Sequence, residues 1–159
     1  MRRKDREVAS YSEVVDILKR CDTVRLGMVD GQTPYVVPVS FGLSELEEGL
    51  AIYFHCATEG RKMEVLQGGA QVCFEADIFL GYQQTERGIT ARYESVMGTG
   101  RCVFLDDDDE VVEGLRRITE HCGFGEYPVQ DCLERMRLRV GRVDVTSITG
   151  KRNLPEQKA

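Results

Sequence analysis

The chain has 159 residues, of which 42% are hydrophobic, and a formal net charge of -6. Length and apolar content predict a single domain over 1–159, with tails at about 1–9 and 153–159. The acidic balance argues against a broad surface for nucleic acid or anionic membrane, so any anion site must be local. A charged start without an apolar signal core, and the lack of a membrane-spanning apolar run, predict a cytoplasmic protein.

A capping-box pattern opens the first predicted helix. Ser10 is followed three residues later by Glu13, a pair that satisfies free backbone N–H groups at a helix start. Apolar side chains then recur at helical spacing, as Val14, Ile17, Leu18 and Cys21. The pattern predicts an amphipathic helix.

A β-hairpin is predicted next. Residues 23–29 alternate between apolar and polar types, and Asp30-Gly31 is a strong turn signal. The second strand should run from Tyr35 to Phe41. Pro38 lies inside it and has no N–H to donate, so this strand must lie at an edge, beside a bulge, or where a ligand meets the backbone.

The segment 53–66 has the pattern of a strand that enters a short helix. Arg61 and Lys62 fall in the predicted first turn, where the partial positive charge of a helix N-terminus favours acids. A bound anion would resolve this conflict. With Thr58 as a cap and Gly60 allowing close backbone approach, the segment predicts a phosphate site. The alternative is that Arg61 pairs with the glutamate three residues on while Lys62 is solvated.

The next part of the chain predicts two strands separated by a loop. Residues 70–76 alternate as a strand, whereas 81–91 are polar, contain glycine and lack a clear period. The long extended run 92–105 carries Gly98 and Gly100 on one face, which indicates strong curvature or close approach by another group.

The C-terminal third predicts a capped helix and a last strand. The acidic run 106–110 most simply caps a helix, since calcium binding would need interleaved residues and a glycine that are absent. A further helical turn or two is expected over 129–136. The last strand, 137–148, shifts its apolar phase around Gly141, which indicates a bulge.

The cysteines predict no metal site and no disulfide framework. They include no C-x-x-C pair, and most occupy apolar-patterned positions where free cysteine behaves as a small hydrophobe. We therefore expect reduced core residues. Two His-Cys pairs, at 55–56 and 121–122, are poor zinc ligands because neighbours on a strand point to opposite faces.

Strands with hairpin connections and glycine bends outnumber helices in this pattern. That balance favours a small antiparallel barrel with helices packed outside. The chain has no G-x-G-x-x-G motif and no Walker A motif, which argues against dinucleotide and nucleotide-triphosphate enzymes of those kinds.

Five segments together resemble a known family, the FMN-binding split barrels related to pyridoxamine 5'-phosphate oxidase, and within it the nitroimidazole-resistance-like branch. The segments are Met1–Lys4 with the first helix, Tyr35–Phe41, Phe54–Lys62, Tyr93–Gly100 and Ile148–Arg152. The resemblance covers nearly the whole chain. It implies a mainly β (α+β) fold, a six-stranded antiparallel split β-barrel with flanking helices.

The resemblance also implies a homodimer with two FMN sites at the subunit interface. The phosphate would meet the basic segment, with His55 nearby, and Ser95 would be a further polar contact to the phosphate or ribityl chain. The flavin ring would lie along the Pro38 strand, whose backbone groups could bond its polar edge. The implied FMN-binding residues are Val37, Pro38, Val39, Ser40, His55, Gly60, Arg61, Lys62 and Ser95.

The chain departs from the family pattern at Cys56, where the family commonly has glycine after the histidine. It also has no tryptophan, and nothing marks the vitamin-binding set of the true pyridoxamine phosphate oxidases. That substrate is therefore not expected.

The expected function is that of a flavin-dependent oxidoreductase of the nitroimidazole-resistance-like type, in which the flavin carries the redox chemistry. The catalytic residue is unknown, and His55 is the candidate proton donor because its ordinary pKa is about 6.5. The first alternative is a flavin- or haem-binding module without turnover, with His55 as an axial ligand. The second is a structural dimer in which Arg61 and Lys62 belong only to an ion-pair network.

Overall fold

The computed structural model describes residues 3–46, 49–130 and 137–155. A single 3-10 turn (Lys4–Arg6) precedes the first strand. The helices are α1 (Tyr11–Lys19), α2 (Arg61–Leu66) and α3 (Asp108–His121). The strands are β1 (Glu7–Val8), β2 (Val24–Asp30), β3 (Thr33–Val39), β4 (Phe41–Leu46), β5 (Gly49–Ala57), β6 (Ala70–Thr85), β7 (Gly88–Phe104) and β8 (Leu138–Asn153).

All strands join one antiparallel sheet in the order β3-β2-β6-β7-β8-β5-β4, with β1 paired to β8. The strands β3 and β4 lie at opposite ends of this order, yet only Ser40 separates them in the chain. Two peptide units span at most about 7 Å, so the sheet curls until its two ends meet at Ser40. The ladder does not close there, and the mainly β split barrel is confirmed.

Within the described residues the sheet has eight strands, whereas the sequence predicted six. The predicted strand at 35–41 breaks at Ser40 and becomes the end of β3 and the start of β4. The other added strand is β1, because Glu7 and Val8 pair with Lys151 and Gly150 of β8 and the side chain of Val8 is buried. The sheet therefore begins inside the segment expected to be a tail.

The barrel interior is filled by alternate residues of β2 and by the apolar face of α1. Val24, Leu26 and Met28 are buried there, as their alternation predicted. Ser10 caps α1, since its hydroxyl accepts a hydrogen bond from the Glu13 backbone N–H at 3.4 Å. The face that α1 buries against the barrel consists of Val14, Val15, Ile17 and Leu18.

Helix α3 packs against the outside of the barrel and forms a second apolar cluster. The carboxylate of Asp107 accepts hydrogen bonds from the backbone N–H groups of Asp109 and Glu110, both at 3.1 Å, so the acidic run caps α3 as predicted. The helix lies so close to β4 that a Cβ on Gly42 would be 2.2 Å from the Arg117 carbonyl carbon. Glycine is required there by contact with backbone.

The predicted loop at 81–91 is wrong, because β6 and β7 continue as a long hairpin in which Thr85 pairs with Gly88. Tyr82 and Ile89 near its end are 76% and 78% exposed. No residue of this segment is fully buried, and its half-buried positions include the polar Gln83 and Thr85 while the large apolar side chains are exposed. The segment therefore lacks the apolar alternation that reveals a half-buried strand.

The predicted bulge at Gly141 is also wrong, since β8 pairs with β5 without interruption from Leu138 to Asp144. The apolar phase shifts because Val140 packs in the cluster under α3 whereas Val143 packs inside the barrel. Gly141 is needed for another reason: a Cβ there would lie 2.4 Å from the Phe54 ring.

Close approach at Gly98 is confirmed. A Cβ at this position would lie 2.3 Å from the Phe74 ring and 2.4 Å from the Ser147 carbonyl oxygen. The only register shift between β7 and β8 in the described residues follows at Thr99/Gly100. Crowding and irregular pairing therefore occur together in this part of β7.

The cysteines only partly follow the core prediction. Cys21 and Cys102 are buried and Cys56 is half-buried, but Cys73 and Cys122 are exposed. All five are free thiols. The remaining cysteine, at 132, and most of the helical turn predicted over 129–136 lie outside the described residues. None of the helices in the described ranges is long and apolar enough to cross a membrane.

Candidate functional site

The strand β3 forms one edge of the sheet and carries Pro38. Its inner edge pairs with β2, where Pro38 lies opposite Arg25, and no described strand pairs with its outer edge. The edge position that the proline predicted is therefore confirmed. Val39 is buried and Val37 packs against the barrel core, whereas Pro38 and Ser40 are exposed. The strand presents its backbone, Pro38 and Ser40 to the outside.

Arg61 lies at the first position of α2 and contacts the β2–β3 hairpin. Its Nε donates a hydrogen bond to Asp30 Oδ2 at 2.6 Å, and its guanidinium carbon is 4.6 Å from the centre of the Tyr35 ring. The ion pair proposed between Arg61 and Glu64 is replaced by this longer-range pair. The side chain of Arg61 remains 51% exposed, so it can still meet a ligand.

The predicted cap of α2 is wrong. The N-cap residue is Gly60, with φ 117°, and no side chain caps the helix. Thr58 lies two residues earlier and does not bond to it. Only glycine readily adopts this backbone conformation, so Gly60 sets the turn from β5 into α2.

Lys62 points away from Arg61. Its ammonium nitrogen is 5.4 Å from the centre of the Phe54 ring on β5. Consecutive helical residues are rotated by about 100° around the axis, which places Arg61 toward the β2–β3 hairpin and Lys62 toward β5. The two cations therefore flank the start of α2 on different sides.

His55 lies on β5 opposite Val140 of β8, and its side chain is exposed. Crowding by surrounding protein atoms partly desolvates the ring, and the Lys62 ammonium adds a nearby positive charge; both lower the pKa of His55 below its ordinary value. The imidazole is consequently uncharged for the most part at neutral pH. The charge of Lys62 therefore acts on the His55 ring, and no described hydrogen bond joins the two side chains.

Ser95 lies on β7, opposite Asp77 of β6 and Lys151 of β8, and is half-buried. It borders a surface pocket of about 310 Å³ together with Met97 and Lys151. Three strand spacings, about 14 Å along the sheet, separate β7 from β3. Among the described residues no hydrogen bond, ion pair or ring contact joins Ser95 to Arg61, so an extended ligand or a second chain would be needed to connect them.

A family model described as pyridoxamine 5'-phosphate oxidase matches residues 10–152. The chain belongs to this family. The matched range contains every predicted cofactor-binding residue, at 37–40, 55, 60–62 and 95. No curated protein matches the chain.

Solved structures show how the family fold recurs. A proposed 5-nitroimidazole antibiotic resistance protein from Bacteroides thetaiotaomicron is 28% identical, with a TM-score of 0.78 over 91% of this chain and 85% of its own. The flavocytochrome Anf3 from Azotobacter vinelandii is 21% identical, with a TM-score of 0.76 over 99% and 75%. An FAD- and haem-binding protein from Mycobacterium smegmatis is 14% identical, with a TM-score of 0.73 over 96% and 77%. At these identities the last two share the fold alone.

Two residues of the Arg61 environment in this family member escaped the sequence reasoning. Asp30 was interpreted as a turn residue and Tyr35 as the start of a strand. Their contacts with Arg61 join positions 31 and 26 residues apart. Such a pairing has no local sequence signal, because it depends on where the β2–β3 hairpin lies relative to α2.

The second histidine, His121, has a structural environment. Its Nε2 is 2.8 Å from the Cys21 carbonyl oxygen, and its ring lies 4.2 Å from the Phe41 ring between centres. These contacts join the end of α3 to the segment that follows α1 and to the start of β4. His121 is therefore engaged in packing, and His55 is the histidine available to a ligand.

Proposed function

We propose that this protein binds FMN and acts as a flavin-dependent oxidoreductase of the nitroimidazole-resistance-like type. The observation that carries the proposal is the contact between Arg61 and Tyr35. Tyr35 precedes the Val37–Ser40 segment by two residues on the same edge strand. The basic residue expected at the phosphate and the strand expected along the ring are therefore neighbours.

The residues present fit a flavin phosphate at one end of this region. Arg61 has an exposed guanidinium, whose planar fork suits the oxygens of a phosphate. Gly60 offers no side chain, and a Cβ built on it would meet nothing within 4 Å, so a ligand can approach the backbone. We assign phosphate binding to Gly60 and Arg61, with Lys62 adding positive charge from the β5 side.

The edge strand fits the other end of the cofactor. Along the unpaired side of β3, backbone groups of the segment Val37, Pro38, Val39 and Ser40 can orient the polar edge of the ring. Pro38 places an apolar ring on the exposed face. Ser95 of the second copy would supply a hydroxyl from β7 for the ribityl chain or the phosphate, because no described contact joins it to Arg61 within one chain. When bound, FMN supplies the hydride or electron transfer.

His55 is the candidate proton donor. Its lowered pKa leaves the imidazole mainly uncharged at neutral pH in the flavin-free chain. A phosphate dianion nearby would favour the charged form and raise this pKa toward neutrality. His55 would then hold a proton at a pH where it can also release it.

A second copy of the chain is the proposed partner, with flavin sites at the interface. Val36 and Met97 are 60% and 59% exposed on the outer face of the sheet, which is unusual for large apolar side chains on strands with an otherwise buried inner face. The face borders the β3 edge, so a partner there would reach the site. Analytical ultracentrifugation tests this: a monomer at micromolar concentration contradicts it.

The free thiols at Cys21, Cys56, Cys73, Cys102 and Cys122 support a reducing compartment. We accordingly propose that the protein works in the cytoplasm. Fractionation of the native host, probed with an antibody against the chain, tests this point.

A haem-binding module is the second candidate function. An exposed and mainly uncharged imidazole is the form that binds iron, and a solved structure with the same fold is an FAD- and haem-binding protein. This candidate predicts a Soret band that disappears in His55→Gln. A protein that takes up flavin but no haem rules it out.

The decisive experiment is to purify the protein, release its chromophore and identify it by mass. Release of FMN supports the proposal. Release of FAD would mean that the cofactor is FAD instead of FMN, and release of haem favours the second candidate function. Anaerobic reduction by NADH or NADPH, followed by addition of a 5-nitroimidazole, then tests turnover. A colourless protein that also fails to take up added FMN refutes the proposal.

A further inference from the structure

We propose that Asp30 is a positioning residue for the cofactor phosphate: its carboxylate, with the ring of Tyr35, holds the Arg61 guanidinium so that both terminal nitrogens face the ligand. This inference rests on the proposed function, because it concerns the phosphate end of the same site. It assigns a role to the β2–β3 hairpin. The part of this hairpin that precedes Tyr35, including Asp30, lies outside the segments that carry the family resemblance.

The hydrogen bond to Asp30 uses only one donor of Arg61. A guanidinium has five N–H donors, one on Nε and four on the terminal nitrogens. Nε donates to Asp30 Oδ2 at 2.6 Å, and among the described residues no acceptor is paired with Nη1 or Nη2. The terminal pair, which binds phosphate in a bidentate manner, is therefore left for a ligand.

The ring of Tyr35 supplies the second constraint. The guanidinium carbon lies 4.6 Å from the ring centre, within the range of a cation–π contact. One face of the guanidinium is thereby covered, while 51% of the side chain stays exposed. An arginine held at Nε and on one face has lost most of its orientations before the ligand arrives, so less conformational entropy is lost on binding.

Asp30 also has an opposing effect, because its negative charge repels a phosphate. Both Asp30 and Arg61 are well exposed, with side-chain accessibilities of 39% and 51%. Repulsion between an exposed carboxylate and a ligand beyond the arginine is weakened by water and salt. A short hydrogen bond at Nε is affected less, so the positioning effect should dominate at physiological ionic strength.

The test compares FMN with riboflavin, which has the same ring but no phosphate. The protein is stripped of flavin, and both dissociation constants are measured by flavin fluorescence in 0.15 M salt. For Asp30→Ala we expect FMN to bind about 3- to 10-fold more weakly, the loss typical of one hydrogen bond, with riboflavin unchanged. Asp30→Asn should stay near wild type, since its amide oxygen can still accept from Nε.

A matched control is Glu45→Ala, which also removes an exposed carboxylate from an ion pair, there with Lys19 at 2.6 Å. It should change neither constant. Should Asp30→Ala misfold, Tyr35→Leu replaces it: loss of the ring should weaken FMN but not riboflavin, and Tyr35→Phe should restore affinity.

The outcomes separate this inference from the proposed function. Tighter FMN binding by Asp30→Ala would mean that Asp30 competes with the phosphate, and equal weakening of FMN and riboflavin would mean a general structural defect; either overturns the inference. If Asp30→Ala leaves the ratio of the FMN and riboflavin dissociation constants unchanged, the inference is overturned. The proposed function still stands in that case, provided that the wild-type protein binds FMN. A wild-type protein that binds no FMN overturns both.

Discussion

Replacement of Arg61 by alanine should separate folding from cofactor binding. In the folded protein the side chain makes one exposed ion pair with Asp30 and one cation–π contact with Tyr35. An exposed pair contributes about 0.2–1 kcal/mol and an exposed cation–π contact about 0.5–1 kcal/mol. The free energy of unfolding should therefore fall by no more than about 2 kcal/mol.

The expected loss of FMN affinity in Arg61→Ala is larger than the expected loss of folding stability. Hydrogen bonds to a charged phosphate contribute about 1.5–3 kcal/mol, which corresponds to a dissociation constant about 10- to 150-fold weaker. Arg61→Lys keeps the charge but loses the planar fork, so its affinity should lie between those of wild type and Arg61→Ala.

Fluorescence titration of flavin-free protein measures these affinities, and urea denaturation monitored by circular dichroism measures the stability. Riboflavin serves as the reference ligand, since its affinity should not depend on a phosphate contact. If Arg61→Ala binds FMN within twofold of wild type while remaining folded, the assignment of Arg61 to the phosphate is refuted.

Three further predictions follow from the structure. Gly42→Ala should lower the free energy of unfolding by about 1–3 kcal/mol or more, because the added Cβ would lie 2.2 Å from the α3 backbone. The control Gly125→Ala, whose Cβ meets nothing closer than 3.5 Å, should leave the free energy of unfolding nearly unchanged in the same urea titration. Asp107→Ala should cost about 1 kcal/mol by loss of the α3 cap, whereas Asp108→Ala removes no such bond, and equal losses would contradict the cap assignment. Because the pKa of His55 is lowered in the folded chain, the unfolded chain binds a proton at higher pH; the unfolding free energy should therefore fall as pH drops below about 6.5. His55→Gln should remove that dependence, and proton NMR of the ring should show the pKa rising when FMN is added; a titration at or above the ordinary value without FMN would contradict the reasoning.

The features predicted correctly are those whose cause is local. The caps at Ser10 and Asp107 depend on backbone groups two or three residues away, and the alternation along β2 requires only that one face be buried. Pro38 indicated an edge because it has no N–H, whatever the fold around it. Each of these signals is contained in a few consecutive residues.

Two of the wrong predictions, the loop at 81–91 and the bulge at Gly141, have a different cause, which is a distribution of burial that a half-buried strand does not have. At the end of the β6–β7 hairpin no residue is fully buried and the half-buried Gln83 and Thr85 are polar, so this end had the pattern of a loop. The strand β8 is buried on both faces, against α3 and inside the barrel, so its phase shift imitated a bulge at Gly141. A pattern of alternation reveals a strand only when one face is buried.

By itself, the sequence determined the strand-rich character of the chain, its caps and turns, the edge position of Pro38 and the unusual placement of Arg61 and Lys62 at a helix start. Only the tertiary structure decided how those two cations are directed. Arg61 contacts Asp30 and Tyr35 because the curled sheet brings the β2–β3 hairpin beside α2, whereas Lys62 extends over Phe54. Helical rotation separates the neighbouring side chains, and strand order selects their partners.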